Sequence, residues 1–472
     1  MKPLAVPLVV LALVSGAAQS DEIDTYVRST LESEKIPGLV LAIARGGTQH
    51  VRTYGLSDLE HLVAVKPDTL FQSGSTGKQF TAAAVMLLVQ DGQLRLEDPL
   101  TIHFREGPPS WRRITVRHLL THTSGLPDYG EENGFIDLRR DYTEDQLVAA
   151  ATKLTLEFEP GTQWAYSNTG YVLLGVLIHR VSGKFYGDVL KERIFKPLGM
   201  PLARVISESD LILNRASGYV RTESGVRNQD WVSPSLNTTA DGALYMTARE
   251  YLVWVDGLRR QKVLRAPTLE AMWTPVKLAD GATYPYGFGW FLSEQRGFRA
   301  IEHAGAWQGF KAAVNYYPEA DLILAVMCNL DACAASAMAS AIAGLIDPKL
   351  AWPDARSAPD DPLPSRSTML HEVMDAWLKE QPHPSMTQRL REKPDVSPRA
   401  RFMRKEVAPW LHDAIAVRFI GEDDVRGRSL ESNGHKVARI VHLGLLGTNS
   451  ANGVRFYLNE RDEVVRVIPQ GW

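Results

Sequence analysis

The sequence is poor in cysteine, in unbalanced charge and in long apolar runs. Two of its 472 residues are cysteines, Cys328 and Cys333, which excludes a disulfide framework, although their spacing permits one small local loop. Because Cys328 ends an apolar run, we expect it to be a buried free thiol. The histidines and cysteines do not have the spacing of a zinc site. We therefore expect neither a metal nor a cofactor.

The charge balance excludes partners that are recognised mainly by charge. The chain has 52 lysine and arginine residues against 55 aspartate and glutamate residues, a net charge of -3. Such a chain has no strong field that favours nucleic acid or an anionic membrane. After the N-terminal segment, no apolar run reaches the length that a membrane span needs. The sequence leaves the oligomeric state open.

Residues 1–20 have the pattern of a secretory signal peptide. Lys2 supplies the positive charge, Leu4 to Val14 form a short apolar core, and Ala18 and Ser20 are the small residues expected before a cleavage site. We expect cleavage before Asp21 and an exported protein, either periplasmic or secreted. An uncleaved N-terminal anchor is the alternative.

The rest of the chain divides into two predicted units. Residues 21–350 have strand patterns near both ends and helical patterns between them, which predicts one α+β domain with its sheet built from both ends of the chain. Residues 351–367 are rich in proline and predict a linker. Residues 368–472 start with an amphipathic helix and continue with strands, which predicts a small α+β domain, a helix on a curled antiparallel sheet. The predicted strands of the first unit include 38–44, 50–55, 287–292, 310–317 and 321–327.

A serine and a lysine three residues apart open the main helical stretch. Ser75 and Lys78 precede apolar residues at helical spacing, Phe80, Ala84 and Leu87, so the two side chains share one face of the first turn. A lysine that loses its proton in a buried setting can accept the proton of a serine hydroxyl. The pair predicts a nucleophile and its base, or merely a helix cap beside a surface lysine.

Two later motifs strengthen the first interpretation. Tyr166 precedes an apolar run and offers a phenol for acid or base chemistry, and Asn168 offers both a donor and an acceptor to a substrate amide. His303, Gly305 and Ala306 stand before a predicted strand pair, where a glycine permits close approach and a free N–H can bind an oxyanion.

With this order and spacing, the three motifs resemble the serine β-lactamase and penicillin-binding-protein superfamily, in particular its class C-like, CubicO-type branch. The resemblance covers about residues 22–346 and includes the stretches 119–126, 158–161, 196–200 and 241–244. It implies a β-lactamase-like domain, an antiparallel sheet flanked by helices with a helical subdomain. It implies a metal-independent serine hydrolase that cleaves a small ester, amide or peptide through an acyl-enzyme.

The resemblance also implies a role for each motif residue. Ser75 is expected to be the acylated nucleophile, and Lys78 and Tyr166 to transfer protons. Asn168, His303 and Gly305 are expected to contact substrate. The backbone N–H groups of Ser75 and Ala306 are expected to form the oxyanion hole. These expectations rest on matching positions in this sequence.

The third motif departs from the superfamily pattern. Many members have Lys-Thr-Gly or Lys-Ser-Gly where this chain has His303, Ala304 and Gly305, so a permanent cation and a hydroxyl suited to a substrate carboxylate are missing. An esterase or D-aminopeptidase-like activity therefore fits best. A true β-lactamase, a D-Ala-D-Ala carboxypeptidase-type penicillin-binding protein and a non-catalytic binding protein on the same fold are the alternatives. His118 and His122 are expected to be structural.

Overall fold

A computed structural model describes residues 10–129, 136–354 and 359–392 and, beyond them, 404, 408–409, 414, 416–426, 430–432, 434–446 and 451–470. The helices are α1 (Val10–Ser33), α2 (Lys78–Gln90), α3 (Leu100–His103), α4 (Val116–Leu120), α5 (Glu144–Ala151), α6 (Asn168–Ser182), α7 (Tyr186–Leu190), α8 (Lys196–Leu198), α9 (Ala248–Arg259), α10 (Ala266–Met272), α11 (Ala335–Ile346), α12 (Pro364–Leu378) and α13 (Gln388–Glu392). A single π-helical turn, Lys191–Phe195, joins α7 to α8.

The strands include long ones that build two sheets and short ones that form local pairs. They are β1 (Gly38–Arg45), β2 (Thr48–Asp58), β3 (Val63–Ala64), β4 (Phe71–Gln72), β5 (Arg204–Val205), β6 (Tyr219–Thr222), β7 (Gly225–Asn228), β8 (Leu244–Met246), β9 (Val276–Lys277), β10 (Thr283–Tyr284), β11 (Phe291–Gln295), β12 (Phe298–Trp307), β13 (Phe310–Tyr317), β14 (Leu322–Cys328), β15 (Ala416–Asp424), β16 (Glu431–Ser432), β17 (His435–Lys436), β18 (Arg439–Leu446), β19 (Ala451–Leu458) and β20 (Val464–Gln470).

The large sheet is assembled from both ends of the first unit, as the sequence predicts. Its seven antiparallel strands lie in the order β11-β12-β13-β14-β1-β2-β3. The chain's early strand β1 pairs with the late strand β14, with Leu41 opposite Val326. The prediction of an α+β fold with an antiparallel sheet and a helical subdomain is confirmed.

Both faces of the central strands are covered, which explains their unbroken apolar sequences. On β1, Val40 and Ala42 pack into the core formed with the helices between Lys78 and Met272. Leu39 and Leu41 point to the other face, where α1 and α11 cover them. A strand that is buried on both faces has no polar side to alternate with its apolar one.

Helix α2 is the central helix of the helical subdomain. The sequence predicts one apolar face on α2, but every residue from Lys78 to Leu88 is buried. Phe80 lies against Trp254 with ring centroids 4.4 Å apart. A helix that is apolar on nearly all sides belongs inside a core, and its first residue, Lys78, is carried inside with it.

The C-terminal unit has the predicted helix on an antiparallel sheet. Helix α12 packs Leu370 and Val373 against Val441 and Phe456 of the four-stranded sheet β15-β18-β19-β20. The helix begins at Pro364, inside the predicted linker, because proline suits the first turn of a helix.

The hairpin between β11 and β12 joins the C-terminal unit to the large sheet. Arg296 donates to Asp423 of β15 at 2.7 Å, and Tyr457 of β19 donates to Glu294 of β11. The guanidinium of Arg455 lies 4.1 Å from the ring centroid of Trp352. The second unit is therefore anchored to the strand next to the one that carries the His303 motif.

The two cysteines form a disulfide, which corrects the expectation of a free thiol at Cys328. Cys328 ends β14 and Cys333 lies just before α11, with Cα atoms 6.6 Å apart. The chain turns back between these elements, and the turn brings the two side chains together. Sequence spacing permitted this loop but did not indicate the turn.

The N-terminal expectations fall partly outside the described residues. Helix α1 runs without interruption through the predicted cleavage position, while residues 1–9 are not described. Among the described helices, none combines the length and the apolar character that crossing a membrane requires.

Candidate active site

A tight 3-10 turn places Ser75 at the base of α2. The turn, Gly74–Gly77, follows the short strand β4. Gly74 has φ +50°, and a Cβ there would lie 2.5 Å from the backbone nitrogen of Ala306. A Cβ on Gly305 would lie 2.0 Å from the Ser73 carbonyl oxygen. Glycine at both positions lets the serine turn and strand β12 touch through their backbones.

Lys78 lies beneath Ser75 and is fully buried. Its Nζ donates to Ser75 Oγ at 3.1 Å, to Asn168 Oδ1 at 2.6 Å and to the Asp241 carbonyl oxygen at 2.6 Å. Burial lowers the pKa of Lys78 to about 8, although the carboxylates of Asp241 and Asp128 oppose that shift. A lysine with this pKa is neutral in about a tenth of the molecules at about pH 7 and in most of them at about pH 9, and the neutral amine can accept a proton.

Tyr166 stands over the same lysine. Its ring centroid is 4.8 Å from Lys78 Nζ. Burial raises the pKa of the Tyr166 phenol well above its usual value, while the nearby Ser75 hydroxyl acts in the opposite direction. Among the described residues, no group reaches the phenol oxygen with hydrogen-bond geometry. The phenol is protonated at rest, and its hydroxyl is available to a reacting group.

Asp128 fixes the orientation of Asn168. The Asn168 backbone N–H donates to Asp128 Oδ1 at 3.2 Å, and its Nδ2 donates to Asp128 Oδ2 at 3.0 Å. The amide oxygen of Asn168 therefore faces Lys78. One amide N–H of Asn168 has no role in these contacts, and it can be offered to a substrate.

Two histidines and a tyrosine form a buried chain behind Tyr166. The Ser167 N–H donates to His122 Nδ1 at 3.1 Å, and His122 Nε2 lies 3.1 Å from the Tyr286 hydroxyl. That hydroxyl lies 3.1 Å from His303 Nε2, and His303 Nδ1 lies 2.6 Å from the Ala304 carbonyl oxygen. Neutral histidines satisfy every contact if His122 donates from Nε2 to the Tyr286 hydroxyl and His303 donates from Nδ1 to the Ala304 carbonyl oxygen.

This series of hydrogen bonds limits the contacts that His303 can make with a substrate. Burial, with Lys78 and His303 nearby, lowers the pKa of His122 well below its usual value. His303 is 3% exposed and both its nitrogens are engaged. The expected contact of His303 with substrate stays a prediction, because both imidazole nitrogens are already engaged within the protein.

A small cavity of about 70 Å³ opens beside Ser75. The backbones at Ser75 and Ala306 both border it, an arrangement in which two N–H groups can serve one oxyanion. Trp307 closes one side, with its indole N–H donating to Asn237 Oδ1 at 2.8 Å. The cavity is lined by Gly74, Ser75, Asn168, Leu236, Thr239, Asp241, Gly242, Ala243, Ala306 and Trp307.

Two other features lie apart from the serine. A larger cavity of about 1140 Å³ borders α7 and β5 and does not include Ser75. Within the described chain, one group of side chains has the proximity of metal ligands, Asp58, Glu60 and His61. This group is largely exposed, and Asp58 already accepts from His61 and Ser217.

Sequence reasoning missed several residues that the structure brings to the site. His122 was expected to be structural, yet its ring centroid lies 4.3 Å from that of Tyr166. Asp128 and Tyr286 come from two separate segments, and the sequence assigned neither a role. Asp241 lies in one of the matching stretches, 241–244, but the sequence assigned it no role either. The sequence also predicts that the loop at residues 130–141 shapes the cleft, and residues 130–135 of this loop lie outside the described part of the chain.

Comparisons with known proteins agree with this geometry. The family model described as Beta-lactamase matches residues 23–345. Penicillin-binding protein 4* of Bacillus subtilis is 32% identical over 317 residues, which are 62% of this chain and 68% of that protein. A D-aminopeptidase of Brucella canis is 27% identical over 67% of this chain and 60% of its own length. The chain thus spans about two thirds of the curated relatives it matches.

Solved structures extend the comparison to the fold. The D-amino acid amidase of Ochrobactrum anthropi, in its complex with D-phenylalanine, has a TM-score of 0.60 and 26% identity, covering 71% of this chain and 98% of that one. An octameric penicillin-binding protein homologue from Pyrococcus abyssi, 22% identical with a TM-score of 0.62, covers 93% of this chain. That likeness shows a common fold over both units. The chain belongs to the Beta-lactamase family and is a serine hydrolase.

Proposed function

We propose that this chain hydrolyses ester or amide bonds through an acyl-enzyme on Ser75. The observation that carries the proposal is the 3.1 Å contact between Lys78 Nζ and Ser75 Oγ at a fully buried lysine. A buried amine with its pKa near 8 is a suitable base for a serine hydroxyl.

The proposed reaction has two halves. Neutral Lys78 takes the hydroxyl proton as Ser75 Oγ attacks the carbonyl carbon, and the N–H groups of Ser75 and Ala306 stabilise the oxyanion. Tyr166 gives its proton to the leaving amine or alcohol, and the protonated Lys78 returns a proton to the phenol oxygen. Water then attacks the acyl carbon. Its proton passes to the same proton-transfer groups, Tyr166 and Lys78, and Ser75 regains a proton as the acid product leaves.

The substrate is proposed to be a small ester or amide, in line with the relatives named as a D-aminopeptidase and a D-amino acid amidase. Asn168 would offer its remaining amide N–H to the substrate. Selection of a carboxylate-bearing β-lactam is disfavoured, because His303 is engaged on both nitrogens and Ala304 has no hydroxyl.

A substrate panel tests the proposal. We expect turnover of p-nitrophenyl acetate or of amino acid amides, and turnover of a chromogenic cephalosporin at a much lower kcat/KM. Cephalosporin hydrolysis that exceeds ester and amide hydrolysis would instead identify a β-lactamase. Absence of turnover with every member of the panel would contradict the proposed activity.

We also propose that the protein is exported. Two observations support this, the signal-like pattern of residues 1–20 and the disulfide between Cys328 and Cys333, since such bonds persist in oxidising compartments. Expression in a bacterial host followed by N-terminal sequencing tests it. A mature N-terminus at Asp21 in the periplasm or the medium supports export, and an intact Met1 in the cytoplasm contradicts it.

A further inference from the structure

One acidic residue, Asp241, lines the cavity beside Ser75. Of the described residues that line the cavity, Asp241 is the one with a carboxylate. Its position is fixed by the backbone next to it, because a Cβ on Gly242 would lie 2.4 Å from the Gly74 carbonyl oxygen. Asp241 is therefore held against the turn that carries Ser75.

The carboxylate of Asp241 has fewer partners than a buried carboxylate normally requires. Asp241 is 6% exposed, and its Oδ2 accepts from the Tyr129 hydroxyl at 2.6 Å. Lys78 binds the backbone oxygen of Asp241 and not the carboxylate. Within the described residues, the Tyr129 hydroxyl is the one donor that the structure gives to this carboxylate. A buried carboxylate with a single neutral donor lacks the cation or the further hydrogen bonds that usually offset its desolvation.

The rest of the site is unsuited to a negatively charged acyl group. Both nitrogens of His303 are engaged within the protein, and Lys78 is occupied by three oxygen atoms. A group that enters the cavity therefore meets one under-satisfied carboxylate and no free cation of the described residues. Electrostatic complementarity favours a positively charged group there.

We propose that the Asp241 carboxylate binds an ammonium group on the acyl part of the substrate, so that the chain acts on esters and amides of amino acids with a free amino group. This inference rests on the proposed hydrolysis at Ser75 and specifies its substrate. The cavity, at about 70 Å³, has room for about five water-sized groups. That space suits an alanyl group better than a large side chain.

Binding of the ammonium group also changes the charge around the base. The Asp241 and Asp128 carboxylates each raise the pKa of Lys78 against the larger effect of burial. A substrate cation on Asp241 cancels one of these two effects, which lowers the pKa of Lys78 and increases its neutral fraction. The charged and titratable groups around Lys78 are Asp128, Asp241, Tyr166, Tyr171 and His122.

Two substrates that differ by one ammonium group test the proposal. Alanine p-nitroanilide, in each enantiomer, is compared with propionyl p-nitroanilide at about pH 7, where most α-amino groups are protonated. We expect the better alanine enantiomer to exceed the propionyl compound in kcat/KM by at least about tenfold, since a charge-assisted hydrogen bond accounts for such a factor. The ratio of these two kcat/KM values, alanine compound over propionyl compound, should fall towards one above about pH 8 as the amine loses its proton.

Variants locate the effect at Asp241. Asp241→Asn keeps the shape and removes the charge, and we expect it to bring the ratio close to one. Asp145→Asn removes a carboxylate that is 93% exposed, and it should keep the wild-type ratio. If Asp241→Asn does not fold, the wild-type ratio and its pH dependence still test whether the site binds an ammonium group.

The outcomes distinguish this inference from the proposed function. A wild-type ratio near one at about pH 7, with clear hydrolysis of both compounds or of p-nitrophenyl propionate, overturns the ammonium site and leaves the acyl-enzyme intact. A ratio that does not change with pH, or that survives in Asp241→Asn, also overturns it. No hydrolysis of either compound or of the ester would contradict the proposed function itself.

Discussion

Replacing Ser75 by alanine is expected to lower kcat/KM for the best ester or amide substrate by at least about 10⁴-fold. The substitution removes the oxygen that Lys78 contacts at 3.1 Å and leaves the rest of the site in place. Asn168 Oδ1 and the Asp241 carbonyl still hold the lysine. Steady-state kinetics on the purified variant measure the loss.

The control for this variant is Ser224→Ala, an exposed serine between β6 and β7, which should keep the wild-type kcat/KM. Thermal melting should show that Ser75→Ala is folded, since a partly buried hydroxyl contributes little to the free energy of unfolding. A folded Ser75→Ala with more than about a tenth of wild-type activity would contradict a nucleophilic Ser75.

Lys78→Met is expected to lower kcat by about 10²-fold to 10⁴-fold, the usual contribution of a general base. Because burial lowers the pKa of Lys78 to about 8, wild-type kcat/KM for a substrate without an amino group, such as p-nitrophenyl acetate, should rise about tenfold between about pH 7 and about pH 9 as the neutral amine accumulates. The residual activity of Lys78→Met should lack this rise. The macroscopic pKa belongs to the coupled site that includes Tyr166.

The stability of Lys78→Met should change little. Two buried acceptors on Asn168 and Asp241 lose their donor, which costs free energy of unfolding, but the desolvation cost of a buried ammonium also disappears. Lys184→Met, an exposed lysine paired with Glu192, is the matched control and should behave as wild type. A wild-type profile for p-nitrophenyl acetate that is flat from about pH 6 to about pH 9 would argue against Lys78 as the base.

The parts of the fold that follow from local pattern could be predicted. The unbroken apolar runs at 38–44 and 322–327 became β1 and β14, because a strand covered on both faces needs no polar alternation. The amphipathic run at Leu370 became α12. In each case, the residues of one segment determine the element.

The parts that depend on contacts between distant segments could not be predicted. The extent of strand β12 could not be predicted from local pattern, since its sequence from Phe298 to Trp307 carries charged residues, alanine and glycine instead of a β-branched pattern. Its ten residues lie between β11 and β13, and pairing on both sides determines its conformation. The disulfide and the full burial of Lys78 likewise depend on tertiary packing.

The motif residues of the site could be named from sequence, but their supporting groups could not. Ser75, Lys78 and Tyr166 follow a recognisable order along the chain, and the structure brings them together. Asp128 and Asp241 raise the pKa of Lys78, although they lie about 50 and about 160 residues away from it in the sequence. Burial and charge at the lysine depend on these distant groups, so they become visible only in three dimensions.

Covalent labelling of Ser75 tests the central claim most directly. The wild-type protein is incubated with a fluorophosphonate probe, and intact-mass spectrometry followed by peptide mapping measures the adduct. The account predicts one probe per chain on the peptide that contains Ser75, and no adduct on the folded Ser75→Ala variant. An adduct that persists in Ser75→Ala, or that maps to another residue, would contradict the assignment of Ser75 as the nucleophile.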